Sequence, residues 1–457
     1  MVFSSLIFVF RFLPLFFIIY YVAPKKWHNV ILLIGSIIFY SFGEPKYAIL
    51  IVASVIVNFF MAKWINCCKY RGVCSKILLA ITLCYNIGIL GFFKYSNFIL
   101  ENVNHLTHND SKLPNVILPL GISFYTFQIL SYVIDVYKGK SKVETSIIRL
   151  GAYLCMFPQL IAGPIVLYNT VSIELQNRHV NLKKFEDGIK TFTIGLGYKV
   201  LLANHLGIIW DSMQQIGYQN LSAPLAWTGI FAFTLQIYFD FNGYSLMAIG
   251  LGEMLGFHFP QNFNYPYISK SVSEFWKRWH ITLTDWFREY IYIPLGGNRK
   301  GKFRTYLNLF IVWSITGIWH GAGWNFLCWG LYYFCFIAVE RMVLKKYIEK
   351  NEIVSRIYTL FVVMCGWVIF AITDIKEIYI YFSRMFSFEI SKDIYPYLEN
   401  YWILFVVAIL LATPIFKRSY ECIKDKFFGI TVLLVVFWAS IVSLVDAVYN
   451  PFLYFRF

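Results

Sequence analysis

The sequence predicts an all-α polytopic integral membrane protein, and three observations carry that prediction. Of 457 residues, 58% are hydrophobic and only 14% charged, with 45 Phe, 33 Tyr and 14 Trp, whereas soluble domains run at about 45–50% apolar and about 25% charged. The apolar residues are gathered into runs that approach the length of a bilayer crossing. The 40 basic residues outnumber the 25 acidic ones, and much of the excess falls on alternate connections between those runs. A soluble domain and a disordered chain are both excluded. The net charge of +15 is the signature of cytoplasmic loops that collect Lys and Arg, and calls for no nucleic acid partner. At about 20 residues per crossing, residues 1–457 accommodate roughly ten to thirteen passes in a single transmembrane domain.

In chain order, the run at 1–23 carries Arg11 and leads straight into a second hydrophobic segment, so it reads as a retained span and not a cleaved signal. Runs at 30–42, 47–62, 77–93 and 116–134 follow. The run at 150–166 contains Pro158, Gly163 and Pro164 and predicts a re-entrant or broken segment, tolerated at membrane depth only where protein buries it or it lines a watery cavity. Further runs occupy 188–210, 224–239, 245–259, 306–319, 323–339, 358–372, 401–416 and 428–447. Lys25 and Lys26, then Lys63, Lys69, Arg71 and Lys76, then Lys138, Lys140, Lys142 and Arg149 lie on alternate connections. They are joined by the basic loops 299–304, 341–356 and 417–426, and place the N-terminus outside. The chain closes at Phe457, soon after its last run, which predicts an outside C-terminus without an appended soluble domain. Of nine cysteines, Cys84, Cys155, Cys328, Cys335 and Cys365 sit in apolar runs as small hydrophobes. Cys67, Cys68 and Cys74 lie in a basic loop whose spacing fits no zinc signature and are expected to be reduced and cytoplasmic.

Two stretches break the apolar background. Segment 269–304 mixes Glu274, Lys277, Arg278, His280, Asp285, Arg288 and Glu289 with Trp276, Trp279, Trp286, Phe275 and Phe287. At helical spacing the rings make one face and the charges another, which predicts an amphipathic helix at the interface or partly buried. The plainer alternative is an aromatic belt at the headgroups with its charges in water. The second stretch, TGIWHGAGWNFLCWG at 316–330, holds His320 in a Gly-rich turn between two hydrophobic helices. Ionisable groups at membrane depth are costly and tend to be functional, and a neutral imidazole can take a proton from a hydroxyl. A histidine simply hydrogen-bonded within the bundle is an equal alternative. Gly317, Gly321 and Gly323 would let backbone or substrate come close. Asp240 and Glu253 could orient a histidine or pair with Lys or Arg of the amphipathic segment, and a structural role is favoured for both. His105 and His108 lack a third ligand, so no metal site is expected.

Five stretches together resemble a known family: LPLGISFYTFQILSYVIDVYKG (118–139), FPQLIAGPIV (157–166), IYFDFNGYS (237–245), FWKRWHITLTDWFREYIYIPLGGNRKG (275–301) and GIWHGAGWNFLCWG (317–330). They are similar to the membrane-bound O-acyltransferases, and within them to the bacterial branch that acetylates alginate, peptidoglycan and other exopolysaccharides. The likeness runs in order along most of the chain to the ending NPFLYFRF (450–457). The PLGGNRKG loop favours that branch over the D-alanyl transferases of teichoic acids. The resemblance implies about eleven transmembrane helices with shorter re-entrant ones around a central channel. It implies acetyl-CoA as donor substrate on the cytoplasmic side of the bacterial inner membrane, no permanently bound cofactor, and release of acetyl on the outer side. The family's invariant histidine falls on His320 and its second polar position on His280, with Asn325 also matching. Leu167, Asn242 and Leu246 stand where the family often has Arg, Ser and Asp.

The expectation is therefore an O-acetyltransferase in which His320 is the base and His280, beside Arg278 and Trp279, steadies an oxyanion or orients the acceptor. Trp319, Asn325 and Asp240 would line or support the channel. Arg299 and Lys300 are candidates for the coenzyme A phosphates, against the alternative that they only mark topology. A separate extracytoplasmic SGNH-type acetyltransferase or esterase is expected as partner, with a cell-surface glycan as final acceptor. The competing classes are a transporter or flippase using His320 as a proton relay and a scaffold for polymer export. Release of free coenzyme A separates the first reading from both.

Overall fold

The computed structural model describes residues 2–69, 72–108, 116–161, 163–348, 350–389 and 391–446. Arg71 and the ending NPFLYFRF lie outside them. Among the described residues helices are the only regular elements. Seven of these helices are long and apolar enough to cross a membrane: Pro45–Cys67, Gly72–Thr107, Leu182–Ile216, Trp324–Leu344, Glu352–Ala371, Lys392–Leu411 and Phe427–Asp446. The protein is an all-α, multi-pass membrane protein. Phe8–Val22 and His28–Ser41 are shorter than the about 20 residues that a straight crossing needs.

Two boundaries differ from the sequence reading. The run at 77–93 is the middle of a 36-residue helix, Gly72–Thr107. The runs at 224–239 and 245–259 form one 33-residue helix, Ala223–Leu255. No proline separates them, and Gly243 serves close packing instead of a stop: a Cβ there would lie 2.7 Å from the Gly195 carbonyl oxygen.

The chain divides into two compact units, Met1–Phe192 with Ser245–Pro260, and Thr193–Tyr244 with Gln261–Phe457. In the first, the segment at 150–166 is broken as expected. Helix Ile147–Cys155 ends at Met156, a four-residue helix Phe157–Leu160 follows, and residues 163–167 are not helical. Its polar backbone is answered from within the protein, as membrane depth requires: Ser36 Oγ accepts from Phe157 N at 3.0 Å, and the Tyr153 hydroxyl donates to Val166 O at 2.8 Å. The Phe157 ring is held in a cluster with Phe8, Phe12, Phe16 and Phe39, centroids 5.2–6.2 Å from it. Glu253 accepts from Thr191 Oγ1 at 3.3 Å, a contact between helices that involves no cation of the amphipathic segment.

In the second unit, helices Gly301–His320 and Trp324–Val339 lie against each other at backbone distance. A Cβ on Gly317 would stand 2.3 Å from Phe326 O, and one on Gly330 2.3 Å from Trp313 O. These glycines admit a neighbouring backbone, not a substrate. Gly317→Val is therefore expected to destabilise this helix pair by about 3 kcal/mol, the upper end of overpacking costs, because the obstacle is main chain and has no rotamer to adopt. Thermal unfolding in detergent measures this, and an unchanged midpoint would remove the argument.

The amphipathic segment is not one helix. It folds as two short helices, Val272–Arg278 and Ile281–Phe287, followed by a π-helical turn Arg288–Tyr292. Trp276, Trp279 and Trp286 are all buried, so the partly buried reading holds and a headgroup belt does not describe these rings. Trp276 packs among Trp313, Trp329 and Tyr333 at centroid distances of 4.9–5.4 Å.

Candidate functional site

The site is built on the break between those two helices. Helix Val272–Arg278 opens with a capping box: Ser271 Oγ accepts from Glu274 N at 3.0 Å, while Glu274 Oε2 accepts from Lys270 N at 2.9 Å. Buried Glu340, at the end of the neighbouring helix, adds a second cap, accepting from Val272 N at 2.6 Å, Ser273 N at 3.1 Å and Ser273 Oγ at 3.1 Å. The negative carboxylate suits the positive end of the helix. At the other end, Arg278 donates through Nε to Glu274 Oε1 at 2.8 Å and through a terminal nitrogen to Asn264 O at 3.1 Å. Trp279 turns into the core, 5.0 Å from Phe263 and 4.9 Å from Trp367. Arg278 and Trp279 thus brace the segment.

His280 occupies the break itself, with φ 45° and ψ 54°. A non-glycine residue in the left-handed region costs about 1–2 kcal/mol, and such strain persists only where surrounding structure imposes it. The imposing element is loop 261–265: Ile281 N donates to Asn262 O at 2.9 Å and Asn264 N to Arg278 O at 2.9 Å. His280 is 1% exposed. Its ring meets Phe241 edge-on at 4.7 Å and lies 6.4 Å from Trp319. This residue is outside the spanning helices, and burial pushes its imidazole well below the ordinary value.

His320 is the last residue of Gly301–His320 and is also buried. Three rings enclose it: Trp329 at 4.8 Å, Trp319 at 5.0 Å and Phe370 at 5.4 Å. Trp319 is thus a ring shared by both histidines. Asn325, fully buried one turn beyond, donates to Ile369 O at 3.3 Å and fastens the following helix to Glu352–Ala371.

Asp240 takes a different partner from the one expected. It pairs with Lys199 at 2.6 Å, both side chains 3% exposed, and Lys199 also donates to Asn204 Oδ1 at 2.9 Å. Lys199 lies in a π-helical turn, Tyr198–Ala203, within what reads as a plain hydrophobic run. Arg299 and Lys300 sit on an exposed turn.

A cavity of about 770 Å³ opens within this unit. Lys270, Lys277, Arg288 and Arg341 line it together with Glu340 and Glu352. Apolar walls come from Leu283, Phe287, Leu309, Val312 and Trp313, and His280 is part of the lining. Arg299, Lys300 and His320 are not among its lining residues. Lys270 is ion-paired with Glu352. Sequence reasoning did not single out Glu340, Arg341 or Asn262, since nothing local marks a carboxylate that caps a helix 68 residues away. Lys277 and Arg288 had a legible signal, being cations interleaved with buried tryptophans. Among the described residues no group of three or more His, Cys, Asp or Glu is placed to hold a metal ion.

Residues 141–384 match the membrane-bound O-acyltransferase family, a stretch that contains both histidines and every residue lining the cavity. The sequence is 36% identical to the probable alginate O-acetylase AlgI of Pseudomonas putida over the whole of both chains. It is 38% identical to the corresponding protein of Pseudomonas aeruginosa, over 85% of this chain and 75% of the relative. A peptidoglycan O-acetyltransferase of Helicobacter pylori is 34% identical over 82% of this chain and 78% of its own.

Proposed function

Because the chain belongs to the membrane-bound O-acyltransferase family and is an acyltransferase of the membrane, we propose that it takes acetyl from acetyl-CoA at the cytoplasmic face of the bacterial inner membrane and delivers it outward for O-acetylation of a cell-surface or secreted polysaccharide. The observation that carries this reading is a cavity whose lining combines basic residues, apolar walls and a buried histidine. That combination suits a coenzyme A thioester, with phosphates against Lys277, Arg288 and Arg341, the pantetheine arm along Phe287, Leu309 and Trp313, and the thioester carbon near His280. Arg341 and Glu352 belong to the basic connection at 341–356, which the distribution of Lys and Arg assigns to the cytoplasm, with the N-terminus outside.

A thioester is already activated. Transfer needs an acceptor oxygen held at the carbonyl carbon, one proton removed from it, and loss of coenzyme A as the thiol. His320 serves as the base for the acceptor hydroxyl, and His280 orients the acceptor. Trp319 packs against both rings and helps keep water from them, while Asn325 holds the helix that follows His320. Asp240 and the pair Arg278 and Trp279 act through the framework. The acetyl group then passes to a separate extracytoplasmic SGNH-type transferase that modifies the glycan.

Purified protein is expected to release free coenzyme A from acetyl-CoA, and cells lacking the gene to lose O-acetyl groups from a surface glycan by mass spectrometry. Absence of coenzyme A release would favour transport or scaffolding. Joint replacement Lys277→Gln and Arg288→Gln is expected to raise KM for acetyl-CoA at least about tenfold, equivalent to about 1.4 kcal/mol, with kcat little changed, because charge-assisted contacts to phosphate serve binding. Added salt should raise KM of the parent in the same sense. An unchanged KM, with a rise on replacing Arg299 and Lys300 instead, would move the phosphate site to that loop.

A further inference from the structure

We infer that Asn262 is a positioning residue that fixes the tautomer of His280 with its hydrogen on Nδ1, so that Nε2 can accept a hydrogen bond and cannot donate one. The inference rests on the acyltransfer reading above and deepens it, since it decides which of two roles His280 can take.

The argument begins with the amide of Asn262, whose side chain is 1% exposed. Its Oδ1 lies 3.3 Å from Thr282 N, 2.9 Å from Thr282 Oγ1 and 3.1 Å from His280 Nδ1. A main-chain N–H can only donate, so the atom facing Thr282 N is the carbonyl oxygen and not the amide nitrogen. An oxygen already committed as acceptor requires the imidazole nitrogen beside it to bring the proton. His280 therefore carries its hydrogen on Nδ1, and Nε2 keeps the lone pair.

The clasp that enforces this is made by main chain on both sides, through Ile281 N to Asn262 O and Asn264 N to Arg278 O. Among the described residues three non-glycine positions have positive φ, and two of them, Tyr265 and His280, flank this clasp. The strained backbone at His280 turns its ring toward Asn262 and Phe241, and burial keeps the ring neutral. A neutral imidazole with its proton on Nδ1 has no hydrogen on Nε2 to offer an oxyanion. It can only hold the acceptor by accepting a hydrogen bond, while the proton of the attacking hydroxyl goes to His320 as the oxygen bonds to the acyl carbon, and from there to the leaving thiolate.

The charged groups around the cavity that His280 lines are Lys270, Lys277 and Arg288 on its own segment, Glu340 and Arg341 beyond Trp324–Val339, and Glu352 at the head of the next helix. Asp285 follows on Ile281–Phe287, and the His320 ring lies 5.0 Å from that of Trp319. Carboxylates among these titrate in the parent as well, so the comparison is between variants and not with an absolute profile.

The test is the pH dependence of coenzyme A release by the purified full chain, for the parent, Asn262→Asp, Asn262→Leu and His280→Ala. Asn262→Asp keeps the size and the acceptor oxygens and adds a negative charge beside Nδ1, which favours the imidazolium. Its loss of activity toward acid is expected to move upward by at least about one pH unit, since each unit is only about 1.4 kcal/mol of charge interaction. Asn262→Leu is expected to lower kcat at least about tenfold, the scale seen when the partner orienting an imidazole is removed, with KM for acetyl-CoA unchanged. A parent that releases no coenzyme A overturns the transferase reading itself. An active parent whose profile coincides with that of Asn262→Asp overturns the role of Asn262 alone, whether or not Asn262→Leu folds.

Discussion

His320→Ala is expected to reach the membrane and fold like the parent, yet to release coenzyme A from acetyl-CoA about 10²–10⁴-fold more slowly, the usual worth of a positioned general base. Folding should survive because His320 is the final residue of its helix, where alanine is well tolerated. Of the enclosing rings, Trp329 and Phe370 also pack with each other and with Trp367, and Trp329 packs with Tyr333. His320→Gln keeps more of the volume and a polar terminus, and should be as inactive as the alanine variant. A well-folded His320→Ala protein with near-parental coenzyme A release would remove His320 from the chemistry.

Removing Asp240 should have the opposite profile, a failure of the fold that precedes any effect on chemistry. Lys199 and Asp240 pair at 2.6 Å in surroundings that leave each side chain 3% exposed. Asp240→Ala withdraws the counter-charge from a buried ammonium, a change that costs about 3–5 kcal/mol in comparable settings. Low recovery from the membrane and a fall in the unfolding midpoint are expected, because Asn204 supplies a dipole to Lys199 but no charge. The double replacement Lys199→Met with Asp240→Leu removes both charges together and is expected to recover folding and coenzyme A release. A double variant that folds well but is inactive would instead assign Asp240 a part in the reaction.

Both histidines were legible as interruptions of an apolar background, His320 as a lone imidazole among Gly and Trp, although the residues alone left a structural and a chemical use of it equally open. The broken passage at 150–166 was equally legible, since Pro158 and Pro164 carry their consequence in their own backbone. Asp240 was recognised as a buried carboxylate but given the wrong partners: the expected cations lay on 269–304, whereas the true one, Lys199, is hidden in a hydrophobic run. The amphipathic segment showed its two faces at helical spacing and concealed the break at His280, because nothing in the residue types around WKRWHIT forbids a continuous helix. That break is imposed by the clasp from loop 261–265. The basic residues at 299–304 and those lining the cavity look alike as sequence, and only the cavity distinguishes them.

The amino-acid order alone settles that this chain spans a membrane as helices, where its polar interruptions fall, and which family it resembles. Those properties are sums of local terms, such as transfer free energy along a run, charge between runs and conformational limits at proline. Three things belong to the folded chain only: the union of Lys199 with Asp240, the contact of Trp319 with two imidazoles, and the hold of Asn262 on Nδ1 of His280. Each is a pairing across helices or loops, and its worth depends on distance and on exclusion of water, which arise only once the helices have chosen their neighbours.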